Sequence, residues 1–327
     1  MNNFKKIILF IPNTNLSGGP ELFYQLAESL KSLNINAFLF FFGDGDSNKS
    51  KIRFSKYNVN FTDHCFDDEN SLLIFPESFT KLTQYFPKSQ KCIFWCSIDN
   101  YYRYKGFNKI ENIIRRFGSL LKKRVPLYKL KKLHHISQSH YASQYLLNRG
   151  IKSYFIGDYI ANEFYSKNNK RFIKEDFVLY NPKKGFKFIK QVINFCPEIK
   201  FIPIENMTSH EVNNILSRAK IYIDFGRHPG KDRIPREAAL NNCCIITNMM
   251  GSAGNNIDLP IPMEYKFIKI DHNALKRIKN LIEKVFLNYN FENIKFIRYR
   301  ELIQKEREEF NKNCEEIFHQ KIRMKNY

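Results

Sequence analysis

One stretch, residues 219–254 (AKIYIDFGRHPGKDRIPREAALNNCCIITNMMGSAG), limits what this chain can become. It passes from an apolar strand through a polar Gly/Pro loop into a helix start, then into a second apolar strand and a Gly-rich turn. Ile221, Ile223 and Phe225 alternate with Tyr222 and Asp224, which is the period of a strand. Gly226 and Gly230 bracket Arg227 and His228, and Lys231, Asp232, Arg233 and Arg236 follow. Pro235 suits a first helical turn, Glu237 comes after it, and Cys244–Thr247 reads as the next core strand. Strand, helix and strand in that order point to a parallel sheet. A polar loop at the carboxyl end of such a strand is where open α/β sheets bind ligands. The cations in this one point to an anionic, phosphorylated ligand.

The same alternation runs along the chain twice. In the first half the expected strands are Ile7–Ile11, Ala37–Phe42, Leu72–Phe75, Lys91–Trp95, Ile136–Ser137 and Ser153–Ile156. Ser17-Gly18-Gly19-Pro20-Glu21 turns into a helix striped by Phe23, Leu26 and Leu30, and Ser139–Leu147 is a second helix. In the second half the expected strands are Phe177–Tyr180, Phe201–Ile204, Ile221–Phe225, Cys244–Thr247 and Phe267–Ile270, with helices at Lys184–Asn194 and Ser209–Ser217. From Ala274 to about Phe318 the pattern is helical. The mixed-charge stretch 157–176 is polar and marks a domain boundary. The expected division is 1–165, 171–305, and a basic helix and tail over 306–327 that packs back on the first domain. Two similar α/β halves imply a cleft between them.

A chain of 327 residues, 43% hydrophobic and 15% aromatic, has the material for two such cores. No run of 18 apolar residues exists, and MNNFKKIILFIPNTN reads as a first strand rather than a signal peptide. The expected location is therefore cytoplasmic. Seven cysteines without paired spacing read as core thiols of a reducing compartment, not as a zinc site. The formal charge of +21 attracts polyanions and anionic membranes. It is concentrated in residues 101–135, where eleven Lys/Arg face one acid, Glu111. There Ile110, Ile113, Ile114, Phe117, Leu120 and Leu121 share a helical face over 109–132, among Arg115, Arg116, Lys122, Lys123 and Arg124. Such a helix suits an anionic membrane surface, and packing of its apolar stripe on the domain core is the competing reading. No nucleic-acid recognition motif accompanies it.

Four places could carry chemistry. Gly18-Gly19 opens the first helix, where backbone N–H groups can approach an anion, although the full G-x-G-x-x-G dinucleotide fingerprint is absent. Tyr180-Asn181-Pro182-Lys183-Lys184-Gly185 is the equivalent loop of the second half, with two lysines to neutralise a diphosphate. In the 219–254 segment, Arg227, His228, Lys231, Arg233 and Arg236 can give charge-assisted hydrogen bonds to phosphate oxygens. Glu237 can accept from ribose hydroxyls, and Ser252, between Gly251 and Gly254, adds a donor. The alternative is an arginine-laced loop that salt-bridges Asp232 and Glu237 for structural reasons. Asp99, in CSIDNYYRYKG, is a candidate acceptor-side residue or base, while His64, His134, His135 and His140 are weaker candidates.

These residues together resemble a GT-B glycosyltransferase, closest in pattern to the retaining family 4-like bacterial enzymes of polysaccharide and lipopolysaccharide synthesis. The resemblance rests on Gly18-Gly19 after the first strand, HISQSHYASQYLLNRGI, the Asn-Pro-Lys-Lys-Gly loop, and Arg-Glu-Ala-Ala-Leu before an apolar strand. It spans most of the chain and is strongest over 177–254. It implies two Rossmann-like domains with parallel sheets facing across a cleft, no metal, and no cofactor beyond a nucleotide-sugar, most simply a UDP- or GDP-sugar. On that basis Lys184 contacts the donor diphosphate, Glu237 the ribose, and Gly19 lies near the phosphates or the acceptor. Two departures stand out. The retaining group carries a second glutamate where this chain has Pro229, and the arginine that accompanies its lysine is absent upstream of Lys184. His228, Arg227 and Arg233 are the candidates to take over that work, and the stereochemical outcome stays open.

The implied activity is transfer of a sugar, hexosyltransferase-like, from a nucleotide-sugar donor to a cell-surface glycan or lipid-linked acceptor of capsule or lipopolysaccharide type, beside the inner face of the membrane. The alternatives are a sugar-nucleotide epimerase, a transferase of another phosphorylated group, or a non-catalytic glycan- or partner-binding subunit.

Overall fold

The computed structural model describes residues 4–13, 18–102, 124–165 and 173–322. The chain divides into two compact units: Met1–Asp158 with Glu308–Tyr327, and Tyr159–Arg307.

In the first unit six strands, β1 (Lys6–Pro12), β2 (Ala37–Phe42), β3 (Ser71–Pro76), β4 (Gln90–Trp95), β5 (His134–Ser137) and β6 (Tyr154–Phe155), form one sheet in the order β2-β1-β3-β4-β5-β6. Every pairing is parallel, with Ile7 opposite Ala37 and Leu72, and Ile93 opposite Phe75 and His135. Covered faces explain the apolar runs: Ile7–Ile11 are all buried. Helices α1 (Gly18–Ser32), α2 (Ser47–Arg53), α3 (Ile98–Tyr102), α4 (Leu127–Leu130) and α5 (His140–Leu147) lie in the connections. Ser139 caps α5 by accepting from the Ala142 N–H at 3.2 Å. Ile8, Phe10, Phe75, Ile93 and Trp95 pack against Tyr101, Tyr102 and Leu146 as the core.

The second unit repeats the plan with β7 (Glu175–Tyr180), β8 (Phe201–Pro203), β9 (Ala219–Asp224), β10 (Cys244–Asn248) and β11 (Lys266–Phe267), ordered β11-β10-β9-β7-β8 and again wholly parallel. Its helices are α6 (Phe186–Phe195), α7 (Ser209–Arg218), α8 (Arg233–Leu240), α9 (His272–Leu287) and α10 (Tyr289–Ile294), and α11 (Ile297–Glu316) belongs to it as far as Arg307 and to the first unit from Glu308. A capping box between Thr208 and Glu211 fixes the start of α7. Ile221, Ile223, Ile245 and Ile246 meet Ile189, Val192, Ala238, Ala239, Ile278 and Ile282 in one core. Each fully buried isoleucine there contributes roughly 1.5–3 kcal/mol. The α/β class and the parallel sheets of the two halves are as the sequence pattern predicts.

Two element boundaries differ from the sequence reading. The last strand ends at Phe267 rather than Ile270, because Asp271 turns to cap α9, accepting from the Ala274 N–H at 2.9 Å, and Lys269 follows it at 2.9 Å. Helix α6 begins at Phe186 rather than Lys184, because Gly185 adopts a left-handed conformation (φ 63°). All seven cysteines are free, five of them buried. Among the described residues no helix is long and apolar enough to cross a membrane. Arg115, Arg116, Lys122 and Lys123, and most of the expected basic helix over 109–132, lie outside the described residues.

Candidate functional site

In the second sheet β7 sits between β8 and β9, so the connection from β7 to β8 runs one way along the sheet and the next, from β8 to β9, crosses back to the other side. The carboxyl ends of β7 and β9 flank this topological switch point, where open α/β sheets hold ligands. After β7 the Asn181 side chain accepts from the Lys183 N–H at 2.9 Å, a turn that sets Lys184 at the strand mouth. After β9 come Phe225 and Gly226. A Cβ on Gly185 would lie 2.3 Å from the Phe225 carbonyl carbon, and one on Gly226 only 2.8 Å from the Lys184 Cβ. The two loops touch because both positions are glycine.

That contact brings Lys184 to Asp232. Asp232 holds the N-cap position of α8 yet makes no capping bond. The third helical residue is Pro235, which lacks the N–H that an N-cap carboxylate usually receives. Asp232 turns its Oδ2 instead to the Lys184 ammonium at 2.7 Å and to His228 Nδ1 at 2.7 Å. His228 Nε2 lies 3.1 Å from Thr247 Oγ1, whose single proton goes to the Asp224 carbonyl at 2.8 Å. Thr247 can then only accept from the ring, so both His228 nitrogens donate and the imidazole is charged. Burial pulls the His228 pKa down, but Asp224 and Asp232 outweigh it and raise it above the ordinary value. Burial likewise opposes the Asp232 charge, and Lys184 and His228 overcome it, holding that carboxyl well below the usual range. The Lys184 ammonium is raised by the same two carboxylates against burial. Asp224 is itself committed, accepting from Gly226 N–H at 2.9 Å and the Tyr222 hydroxyl at 3.1 Å.

The rest of the loop is locked from below. Ser252 gives its N–H to the His228 carbonyl at 2.9 Å and its hydroxyl to the Gly230 carbonyl at 2.5 Å. A Cβ on Gly251, at φ 60°, would fall 1.9 Å from that His228 oxygen. Arg236 is fully buried; it donates to Glu306 Oε2 at 2.8 Å and to the carbonyls of Asp232 (3.1 Å) and Lys231 (3.0 Å). Lys231 adds a second bond to Glu306 at 2.7 Å.

The structure therefore sorts the residues expected from sequence. Lys184, His228, Lys231, Arg236 and Ser252 are joined by these bonds after the carboxyl ends of β7 and β9, Arg227 lies in the same loop, Arg233 and Glu237 lie on α8, and Lys183 is exposed beside Lys184. Arg236, Ser252 and His228 face inward and hold the loop, whereas Lys184 stays partly open to solvent. Asp232 pairs with Lys184 and His228. Gly18, Gly19 and Asp99 belong to the first unit, the glycines opening α1 and Asp99 buried in α3. Arg124 departs from its expected place on a membrane-facing surface. It is buried, donating to the carbonyls of Asn100 (3.0 Å) and Tyr101 (3.2 Å) at the end of α3.

Sequence reading passed over Asp224, Thr247 and Glu306. A carboxylate in the apolar run of β9 was the available sign for Asp224; Glu306 stands 70 residues from its partner Arg236 and offers none. Asp224, His228 and Asp232 have ligand atoms within 4.8 Å of one another. In this structure Asp232 Oδ2 is taken up by Lys184 and His228 at 2.7 Å each. A divalent cation would have to displace one His228 proton and the Lys184 ammonium.

No protein-family model matches the chain, and no curated protein sequence does either. Solved structures do match. TarM of S. aureus, in complex with Fondaparinux, alpha-GlcNAc-glycerol and UDP, superposes with a TM-score of 0.67 at 10% identity, covering 97% of this chain and 100% of that one. Anabaena HepE in complex with UDP and glucose gives 0.64 at 9% identity over 97% and 100%. WaaG, a glycosyltransferase involved in lipopolysaccharide biosynthesis, gives 0.59 at 10% identity over 96% and 100%. The fold is GT-B. At these identities the likeness is one of fold, and within it the GT-B chain described here carries its own set of residues at the β7/β9 switch point.

Proposed function

We propose that this GT-B chain is a glycosyltransferase that moves a sugar from a UDP- or GDP-sugar to a cell-surface glycan or lipid-linked acceptor. The observation that carries the reading is Lys184, a partly open ammonium at the switch point of a parallel sheet, beside a left-handed glycine and the start of α6. TarM and HepE, which share the fold, were solved with UDP. In this reading Lys184 takes the diphosphate, Glu237 the ribose, and Lys183, Arg227, Lys231 and Arg233 supply positive charge around the leaving group. Cations fixed in advance stabilise charge that develops on a departing nucleoside diphosphate at no reorganisation cost. Arg236, Ser252 and His228 hold these groups in place, Gly18 and Gly19 are assigned to the donor phosphates or the acceptor, and Asp99 to the acceptor. Pro229 occupies the place of the second acid of retaining enzymes, so the reading assigns catalysis to charge stabilisation and names no nucleophile.

The test is release of nucleoside diphosphate, with extension of an acceptor glycan, from a panel of UDP- and GDP-sugars. Lys184→Ala and Glu237→Ala are expected to weaken donor binding in calorimetry by about tenfold or more each. Unchanged binding in both would refute the site, and turnover without glycosyl transfer would refute the reaction.

We further infer peripheral association with the inner face of an anionic membrane, on the strength of the +21 charge and the eleven cations of residues 101–135. Neutralising Lys122 and Lys123 should weaken sedimentation with anionic liposomes. Arg124 is left out because it is buried.

A further inference from the structure

The Lys184 ammonium already has an anion. We propose that Asp232 is a built-in placeholder for the donor diphosphate, holding Lys184 in position in the free protein and yielding it when phosphate arrives. The inference rests on the proposed donor site and adds an exchange of counter-ions to it.

Three observations support the exchange. First, Asp232 stands at an N-cap position and makes no capping bond, so its side chain is free of the role that position normally gives an aspartate. Pro235 explains this by removing one of the donors the cap would use. Second, a single oxygen of Asp232, Oδ2, is shared by two cations, Lys184 and His228, each at 2.7 Å. Losing one of them does not leave the half-buried carboxylate without a cation, because the charged imidazole remains. Without His228 the release would leave a largely enclosed carboxylate, 17% exposed, with no cation beside it. Third, the two cations differ in freedom. His228 is buried and fixed on its far side by Thr247 at 3.1 Å, while the Lys184 side chain keeps 32% of its surface open. Lys184 can turn toward a ligand; His228 cannot.

The consequence is a Lys184 ammonium that is not open to weaker anions merely because it is a cation. Two cations, Lys184 and His228, face two carboxylates, Asp224 and Asp232, so this inner cluster is balanced before a ligand arrives. A diphosphate, with more charge and more acceptor oxygens than one carboxylate, takes the lysine; His228 keeps the aspartate.

Calorimetry with UDP and with GDP tests this on the intact chain. Asp232→Asn removes the competing charge and keeps the shape. It is expected to tighten binding of the preferred nucleotide by about tenfold, the opposite sign from losing a merely structural residue. Weaker or unchanged binding in Asp232→Asn, with wild-type binding intact, would overturn the placeholder and leave the proposed donor site standing. Should that variant fail to fold, crystals of the wild type with nucleotide decide. The Lys184–Asp232 distance should open from 2.7 Å to beyond about 4 Å while the His228–Asp232 bond stays closed. A closed Lys184–Asp232 pair with nucleotide bound refutes the placeholder alone. Failure of both nucleotides to bind refutes the donor site and the placeholder with it.

Discussion

His135 and His228 are both buried, and their partners give them opposite charge. His135 accepts from the Trp95 indole N–H at Nδ1 (3.0 Å) and gives its only proton, on Nε2, to the Leu130 carbonyl at 2.9 Å. Burial pushes its pKa down to about 4. His228 donates from both nitrogens and has its pKa raised. The signs of the pH effects follow. His135 takes up protons more readily unfolded than folded, so its unit loses stability as pH falls from 6.5 toward 4, by up to about 3 kcal/mol. His228 stabilises its unit fully below 6.5, and that contribution is lost as pH rises through its raised folded value. Trp95 is the only tryptophan and reports on the first unit, so urea titrations followed by its fluorescence read the His135 effect directly. NMR titration should show the His135 ring unchanged from pH 8 down to about 5. A midpoint near 6.5 would contradict the neutral assignment.

At the scale of elements, the strands were legible because they are apolar on both faces, and the helices because apolar residues recur at helical spacing, as Phe23, Leu26 and Leu30 do in α1, while the Asp271 cap that ends the last strand early was not read. The site was legible only in part. Lys184 and Glu237 were reached through loop position and family resemblance, but Lys184 meets His228 and Asp232 only after two loops converge, and no local pattern encodes that meeting. What permits it is the facing pair Gly185 and Gly226. Gly185→Ala would put a Cβ 2.3 Å from the Phe225 carbonyl carbon, and would strain a residue at φ 63°. Left-handed geometry alone costs roughly 1–2 kcal/mol, and the backbone overlap forces the β7 loop away from β9. The variant is expected to lose both stability and nucleotide affinity, the latter by about tenfold or more. Full affinity in a folded Gly185→Ala protein would mean that Lys184 does not need the approach of the two loops.

For the whole molecule, charge and site point in different directions. The chain carries 53 Lys and Arg against 32 Asp and Glu. Yet Lys184, His228, Asp224 and Asp232 balance among themselves, and Lys231 and Arg236 are both engaged by Glu306. The long-range pull on an anionic donor then comes from the cations outside this cluster, Lys183, Arg227 and Arg233 among them, and from the excess charge of the chain as a whole. A field of that kind acts over the Debye length and is screened by salt, whereas contacts inside the site are screened far less. Stopped-flow measurements of UDP binding should then show an association rate that falls by roughly tenfold between about 20 and about 500 mM salt, with dissociation changing less than about threefold. If salt acted on dissociation instead, the attraction would lie in the contacts themselves, and the balanced network around Lys184 would not describe the free site.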